Sequence, residues 1–127
     1  MRKILLMGTL ASVIFVTSTV SATDSCDDAY TAASIAYRYA KKAYKAGNLD
    51  DCKRYTSKAR AATSDAMSYA GKCECFDAYS SASSADWYAN KASSADALDD
   101  CNINAKKTRS AASNAMLYAR GCNKLLN

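Results

Sequence analysis

Six cysteines repeat with a fixed offset, and this repeat constrains the fold more than any other feature. Each of the first three cysteines recurs 49 residues later, and the gaps of 26 and 21 residues between them are kept. The two sets are Cys26, Cys52 and Cys73, then Cys75, Cys101 and Cys122. Over the 48 positions from residue 26 to residue 73, 25 residues are identical in the second copy. Duplication at unchanged length predicts two units of one fold, residues 26–73 and 75–122, separated only by Glu74.

Each unit has the pattern of two helices. Small or aromatic residues recur in alternating steps of three and four, which is a heptad pattern. In the first unit these residues are Cys26, Ala29, Ala33, Ala36, Ala40 and Ala43, then Cys52, Tyr55, Ala59, Ala62, Ala66, Tyr69 and Cys73. In the second they are Cys75, Ala78, Ala82, Ala85, Ala89 and Ala92, then Cys101, Asn104, Thr108, Ala111, Ala115, Tyr118 and Cys122. Alanine is the strongest helix former and proline is absent. The predicted fold is all-α, with two tandem antiparallel helical hairpins, bracketed by cysteines, packed as a small disulfide-stapled four-helix bundle.

The helix ends are predicted from capping residues. Gly47 and Asn48 are expected to end the first helix in the left-handed conformation. Asp50 and Asp99 are expected to cap the second helix of their units. The second helices are expected to end at Gly71 and Gly121.

The N-terminal residues have the features of an export signal. A short basic segment precedes a 13-residue apolar stretch, Ile4 to Val16, and Val20 and Ala22 are the small residues of a cleavage site. We predict a cleaved signal peptide at residues 1–22 and a mature single domain at 23–127. An uncleaved anchor is disfavoured, because about 20 apolar residues are needed to cross a bilayer. The expected product is periplasmic or secreted, without an integral membrane span, in a compartment where disulfides persist.

The predicted mature chain has too few large apolar residues for an ordinary core. It contains five Leu, two Ile, one Phe and no Val. Alanine lets helix backbones approach closely but buries little apolar area per residue. The larger residues expected to pack one hairpin on the other are Ile35, Tyr39, Met67, Trp87, Tyr88, Met116 and Leu117. Disulfides closing loops of this length would each add on the order of 4 kcal/mol in the chain-entropy model.

Helix length limits the cysteine pairing. The ends of a 20-residue helix are about 30 Å apart, too far for a disulfide. In two antiparallel hairpins, Cys52 and Cys101 lie at one end and the other four cysteines at the opposite end. Three pairings contain Cys52–Cys101, and they differ at the other end: Cys26–Cys73 with Cys75–Cys122, Cys26–Cys75 with Cys73–Cys122, or Cys26–Cys122 with Cys73–Cys75. The first of these pairings is favoured, because it closes the hairpin of each unit in the same way. Cys52 meets Cys101 only in a true bundle; in two flat pairs of helices they would be free or would link two chains.

The composition disfavours enzymatic chemistry. The chain has no histidine, the commonest general base and metal ligand, and no cofactor is expected.

The alternative function is a cysteine-based metal-binding or thiol–disulfide protein, with a four-thiolate zinc site at Cys26, Cys73, Cys75 and Cys122 or a redox pair at Cys73 and Cys75. The cysteine spacing and the lack of a partner base make structural disulfides the better interpretation.

Charge and tyrosines distinguish the two units. The first unit has nine Lys or Arg against five Asp, a net +4, and the second has five against five. Tyr30, Tyr37 and Tyr44 form a stripe that the second unit does not keep. A candidate contact surface for an anionic envelope component or another protein comprises Lys41, Lys42, Tyr44, Lys45, Lys53, Arg54 and Lys58. The alternative is that these lysines complement a helix dipole and cover alanine-rich surface.

The sequence therefore predicts a non-enzymatic binding or structural protein that uses the basic, tyrosine-rich face of the first hairpin. Nucleic acid is not an expected partner. Removing Arg2 and Lys3 with the signal leaves fifteen basic against twelve acidic residues, a mature net charge of only +3. Proteins that bind nucleic acid generally have a much stronger basic surface.

Overall fold

The computed structural model describes residues 25–126, which form four helices. Helix α1 spans residues 25–44 of this part, and the others are α2 (Leu49–Lys72), α3 (Phe76–Ser93) and α4 (Leu98–Leu126). No strand occurs in this part of the chain. The predicted all-α fold is confirmed: α1 and α2 form hairpin 1, and α3 and α4 form hairpin 2. The predicted signal peptide lies outside the described residues.

The hairpins pack into one bundle with an alanine interior. Four buried layers follow one another along the bundle, and each contains residues from all four helices. One central layer contains Ala36, Ala62, Ala85 and Ala111. Because a methyl group is the largest side chain at most of these positions, the helix backbones can approach closely. The alanines of the predicted heptad pattern are therefore buried, as expected.

The heptad pattern misses a second buried row on α2 and α4. This row consists of Thr56, Thr63 and Ala70 on α2 and of Ala105, Ala112 and Ala119 on α4. Helix α2 packs against α3 and α4 as well as within its own hairpin, so more than one of its faces is buried. The threonine hydroxyls donate to carbonyls of the preceding turn, Thr56 to Cys52 at 3.0 Å and Thr108 to Asn104 at 2.9 Å. Such local bonds satisfy a buried hydroxyl group.

The three disulfides adopt the pairing that the sequence favours. Cys26–Cys73 and Cys75–Cys122 close the open end of each hairpin, with Cα–Cα distances of 5.4 and 5.9 Å. At the opposite end Cys52–Cys101 joins α2 to α4, with a Cα–Cα distance of 6.2 Å. No cysteine is left free among the six. The arrangement is a true bundle rather than two flat pairs of helices.

The start of α2 differs from the prediction. Asn48 is the N-cap, and its side chain accepts a hydrogen bond from the Asp51 N–H at 2.8 Å. The expected caps, Asp50 and Asp99, lie in the first turns of α2 and α4 instead, where a negative charge still complements the helix dipole. Neither Gly47 nor Asn48 adopts the left-handed conformation.

The junction between the hairpins is one residue long and has an unusual backbone. Glu74 has a φ of 58°, in the left-handed region. This conformation lets the Cys75 N–H bond to the Ala70 carbonyl at 2.9 Å, as in a Schellman motif. Helix α2 therefore ends just after Gly71, as predicted. The prediction for Gly121 is wrong, because α4 continues through it to Leu126.

Several large residues expected in the interior lie on the surface. Trp87 is 55% exposed, Leu117 60% and Tyr118 46%. Met67 and Met116 instead pack partly buried against an alanine layer, as expected. The interior between closely spaced helices has little room for large side chains, so many of them lie outside it.

Candidate functional site

Three of the seven predicted contact residues gather around two tyrosine rings between α1 and α2. The Lys42 Nζ lies 5.6 Å from the Tyr39 ring centroid and 5.8 Å from the Tyr55 ring centroid. The Lys58 Nζ lies 5.6 Å from the Tyr39 ring, and the Arg54 guanidinium carbon 5.0 Å from the Tyr55 ring. We call these five residues the hairpin-1 cation cluster. Both rings are half-buried, whereas the three basic side chains are exposed.

The cluster follows from helical spacing near a tight turn. Tyr39 and Lys42 are three residues apart on α1, and Arg54 and Lys58 are four residues apart on α2, so each pair shares a helix face. The short connection between the helices places these faces side by side. Tyr39 was expected only to pack between hairpins, although its spacing to Lys42 indicates a shared surface.

The positive charge of the cluster is only partly neutralised. Arg54 forms an ion pair with Asp51 at 2.9 Å, and Asp51 also accepts a bond from Asn48 Nδ2 at 3.0 Å. Among residues 25–126, the ion pairs of this hairpin involve Arg54 and Arg60 but neither lysine of the cluster. Lys42 and Lys58 therefore carry the charge that an approaching anion would meet.

Three of the other predicted contact residues lie outside the cluster. Lys41 on α1 and Lys45 in the turn after it are exposed, and Lys53 is half-buried on α2. The Lys53 carbonyl accepts the Thr56 hydroxyl at 3.0 Å, a bond within the helix. These lysines add to the basic surroundings of the cluster without contacting its rings.

Tyr44 lies against the other hairpin. Its ring centroid is 5.6 Å from the Lys106 Nζ and 5.1 Å from the Arg109 guanidinium carbon, both on α4. Further along the same stripe, Arg120 donates to the Tyr30 hydroxyl at 2.6 Å. The tyrosine stripe of α1 therefore contributes to the interface between α1 and α4.

Hairpin 2 keeps only part of this arrangement. Lys107 lies 5.6 Å from the Tyr88 ring, matching Lys58 and Tyr39 in hairpin 1. The Tyr55 ring and the arginine are missing, because Ile103 and Asn104 stand where hairpin 1 has Arg54 and Tyr55, and Lys91 lies 4.2 Å from the Trp87 ring centroid instead. The full cluster is a property of hairpin 1.

The cysteine chemistry considered as an alternative has little support in the oxidised protein. Cys73 and Cys75 are each bonded to another partner, so they do not form a redox pair with one another. A thiolate metal site would first require the disulfides to be reduced. The described residues contain no group of three or more His, Cys, Asp or Glu side chains suited to holding a metal ion.

Comparisons with known proteins give no further guide to function. No protein-family model matches the sequence, and no curated protein or solved structure is significantly similar to it.

Within residues 25–126, none of the helices combines the length and apolarity that crossing a bilayer requires. The three disulfides are consistent with an oxidising, extracellular environment.

Proposed function

We propose that the protein is an exported, non-enzymatic binding module that attaches to an anionic component of the cell envelope through the hairpin-1 cation cluster. The convergence of Lys42 and Lys58 on the Tyr39 ring carries this proposal. The net +4 of the first unit supports it, since the second unit has a balanced charge. The apolar stretch near the N-terminus and the three disulfides support export.

The physical basis is that exposed lysines beside aromatic rings remain available to a ligand. An exposed cation–π contact contributes only about 0.5–1 kcal/mol, so an ammonium group can turn towards an anion at little cost. The half-buried rings fix the position of the cluster, because their own movement is limited by packing. Rings and cations together make a surface for headgroup phosphates or other fixed anions.

The test is retention on anionic membranes. The purified protein is expected to co-sediment with vesicles containing phosphatidylglycerol, less so with pure phosphatidylcholine vesicles, and less again as salt is raised. In the variant Lys42→Glu/Lys58→Glu, affinity is expected to fall at least roughly 30-fold, because each lysine near an anionic surface contributes about 1 kcal/mol.

The control has the same charge change elsewhere. Lys91 and Lys124 are also exposed. Lys91 corresponds in position to Lys42, but it lies 4.2 Å from the Trp87 ring centroid rather than between two tyrosine rings. Lys91→Glu/Lys124→Glu is expected to lose much less affinity, with the helical circular dichroism signal unchanged in both variants. Equal losses in the two variants would show that net charge alone drives retention, and unchanged retention in the first would end the proposal.

A further inference from the structure

A groove lies mainly on hairpin 2, beside α4. It is a depression of about 830 Å³, and its lining includes Ser84, Tyr88, Ile103, Lys106, Lys107 and Ala111. Ser84 and Tyr88 come from α3, the other four of these residues come from α4, and Tyr44 of α1 completes one side. We call it the hairpin-2 groove. Its volume lies within the range of about 300–1,000 Å³ that small-molecule sites occupy.

One small residue in the wall of the groove replaces a large one. Ser84 stands where hairpin 1 has Ile35, which packs against the central alanine layer. The backbone positions are equivalent, so removing the isoleucine side chain leaves space between α3 and α4.

The lining combines apolar side chains and two lysines with the uncharged polar residues Asn102, Ser110 and Asn114. Ile103 is 53% exposed, and the buried Ala111 contributes a methyl group. Lys107 lies beside the Tyr88 ring, and Lys106 lies 5.6 Å from the Tyr44 ring, which also borders the depression. None of the lining residues is acidic.

We propose that the hairpin-2 groove binds an amphiphilic anion, a molecule with an apolar body and one carboxylate. The apolar body would cover Ile103, and the carboxylate would pair with Lys106 or Lys107. A cation would be repelled by two lysines, and a small inorganic anion would leave Ile103 in water. An uncharged apolar molecule would cover the lysines without compensating their charge. The site shares no residue with the hairpin-1 cation cluster, so either proposal can fail alone.

Trp87 provides the signal for a direct test. It is the only tryptophan in the chain, and its ring centroid lies 5.2 Å from that of Tyr88 in the groove wall. Titration with decanoate, below the concentration at which it forms micelles, is expected to change Trp87 fluorescence saturably. Decyltrimethylammonium, 1-decanol and inorganic phosphate are the comparison probes, and each is expected to bind at least tenfold more weakly.

Two variants test the site itself. Ser84→Ile places the hairpin-1 residue in hairpin 2 and is expected to abolish the response to decanoate with the helical signal intact. Lys106→Gln/Lys107→Gln is expected to weaken binding at least tenfold, whereas the charge-matched Lys72→Gln/Lys124→Gln changes it less than twofold. If Ser84→Ile does not fold, the comparison of the two lysine double variants tests whether the groove binds decanoate.

Several outcomes would overturn the proposal. No saturable response to decanoate, equal binding of 1-decanol or the cationic probe, or an unchanged response in folded Ser84→Ile would each do so. Sedimentation of the free protein tests a different occupant: a dimer that Ser84→Ile converts to a monomer would mean that the groove is covered by a second copy of the chain.

Discussion

The two hairpins share an interior but differ in surface. Equivalent positions that are buried in both units carry the same residue, with three exceptions that exchange alanine and threonine. These exceptions are Thr56 and Ala105, Ala59 and Thr108, and Thr63 and Ala112. The residues kept in both copies are therefore those that the bundle requires. They are small side chains in the interior and the paired cysteines.

The outer faces of α1 and α3 show how far the surfaces have diverged. Arg38 and Lys41 of α1 and Lys45 just after it correspond to Trp87 and Asn90 of α3 and to Ser94 just after it. These three positions are basic in hairpin 1, whereas in hairpin 2 they are uncharged and include an exposed tryptophan. The same scaffold therefore presents two different surfaces, as expected if the hairpins contact different ligands.

The largest expected effect tests whether the two hairpins depend equally on their own disulfide. Cys26→Ser/Cys73→Ser opens hairpin 1, and Cys75→Ser/Cys122→Ser opens hairpin 2. Both disulfides span 47 residues, so each variant is expected to lose about 4 kcal/mol of unfolding free energy in the chain-entropy model. Urea unfolding followed by circular dichroism measures both. A loss of unfolding free energy below about 1 kcal/mol in only one of the two variants would show that the hairpins do not depend equally on their disulfides.

An intermediate effect tests the close packing of the alanine layers. Ala36→Leu and Ala85→Leu change equivalent residues of one central layer. Each is expected to lower the unfolding free energy by about 1–3 kcal/mol, because a larger side chain overpacks the space between helices. Thr31→Leu and Ser80→Leu are matched controls at equivalent exposed positions. If the core variants were as stable as these controls, the helices would not be closely packed.

The smallest expected effect lies at the junction of the hairpins. Glu74→Gly removes the cost of a left-handed conformation with a side chain, roughly 1–2 kcal/mol, but increases the freedom of the unfolded chain. A net gain of up to about 1 kcal/mol is expected in thermal unfolding, whereas Glu74→Ala should gain nothing. A loss of stability in the glycine variant would argue against the left-handed backbone at this position.

The sequence predicted the scaffold well because its signals are periodic and local. The 49-residue offset indicates the duplication, the alternating steps of three and four indicate the buried alanines, and helix length limits the cysteine pairing. Asn48 was misassigned because several adjacent polar residues can cap the same helix. Gly121 was misassigned because a glycine tolerated inside a helix cannot be told from one that ends it.

The surfaces were predicted less well because they depend on which helices become neighbours. Tyr44 belongs by spacing to the basic face of α1, yet its ring contacts α4. Trp87 is large and apolar, yet the closely packed interior has no place for it. The hairpin-2 groove requires Ser84 of α3 and Ile103 of α4 to lie on the same depression, which no single-helix pattern indicates.

The central claim is that disulfides compensate for an interior made of methyl groups, and unfolding of the fully reduced protein tests it most directly. Three disulfides at about 4 kcal/mol each would approach the whole stability of a typical domain, about 5–15 kcal/mol. After reduction without denaturant, verified by mass spectrometry, the account predicts loss of most of the helical circular dichroism signal at 25 °C. A reduced protein with the same helical signal and melting temperature as the oxidised one would contradict it.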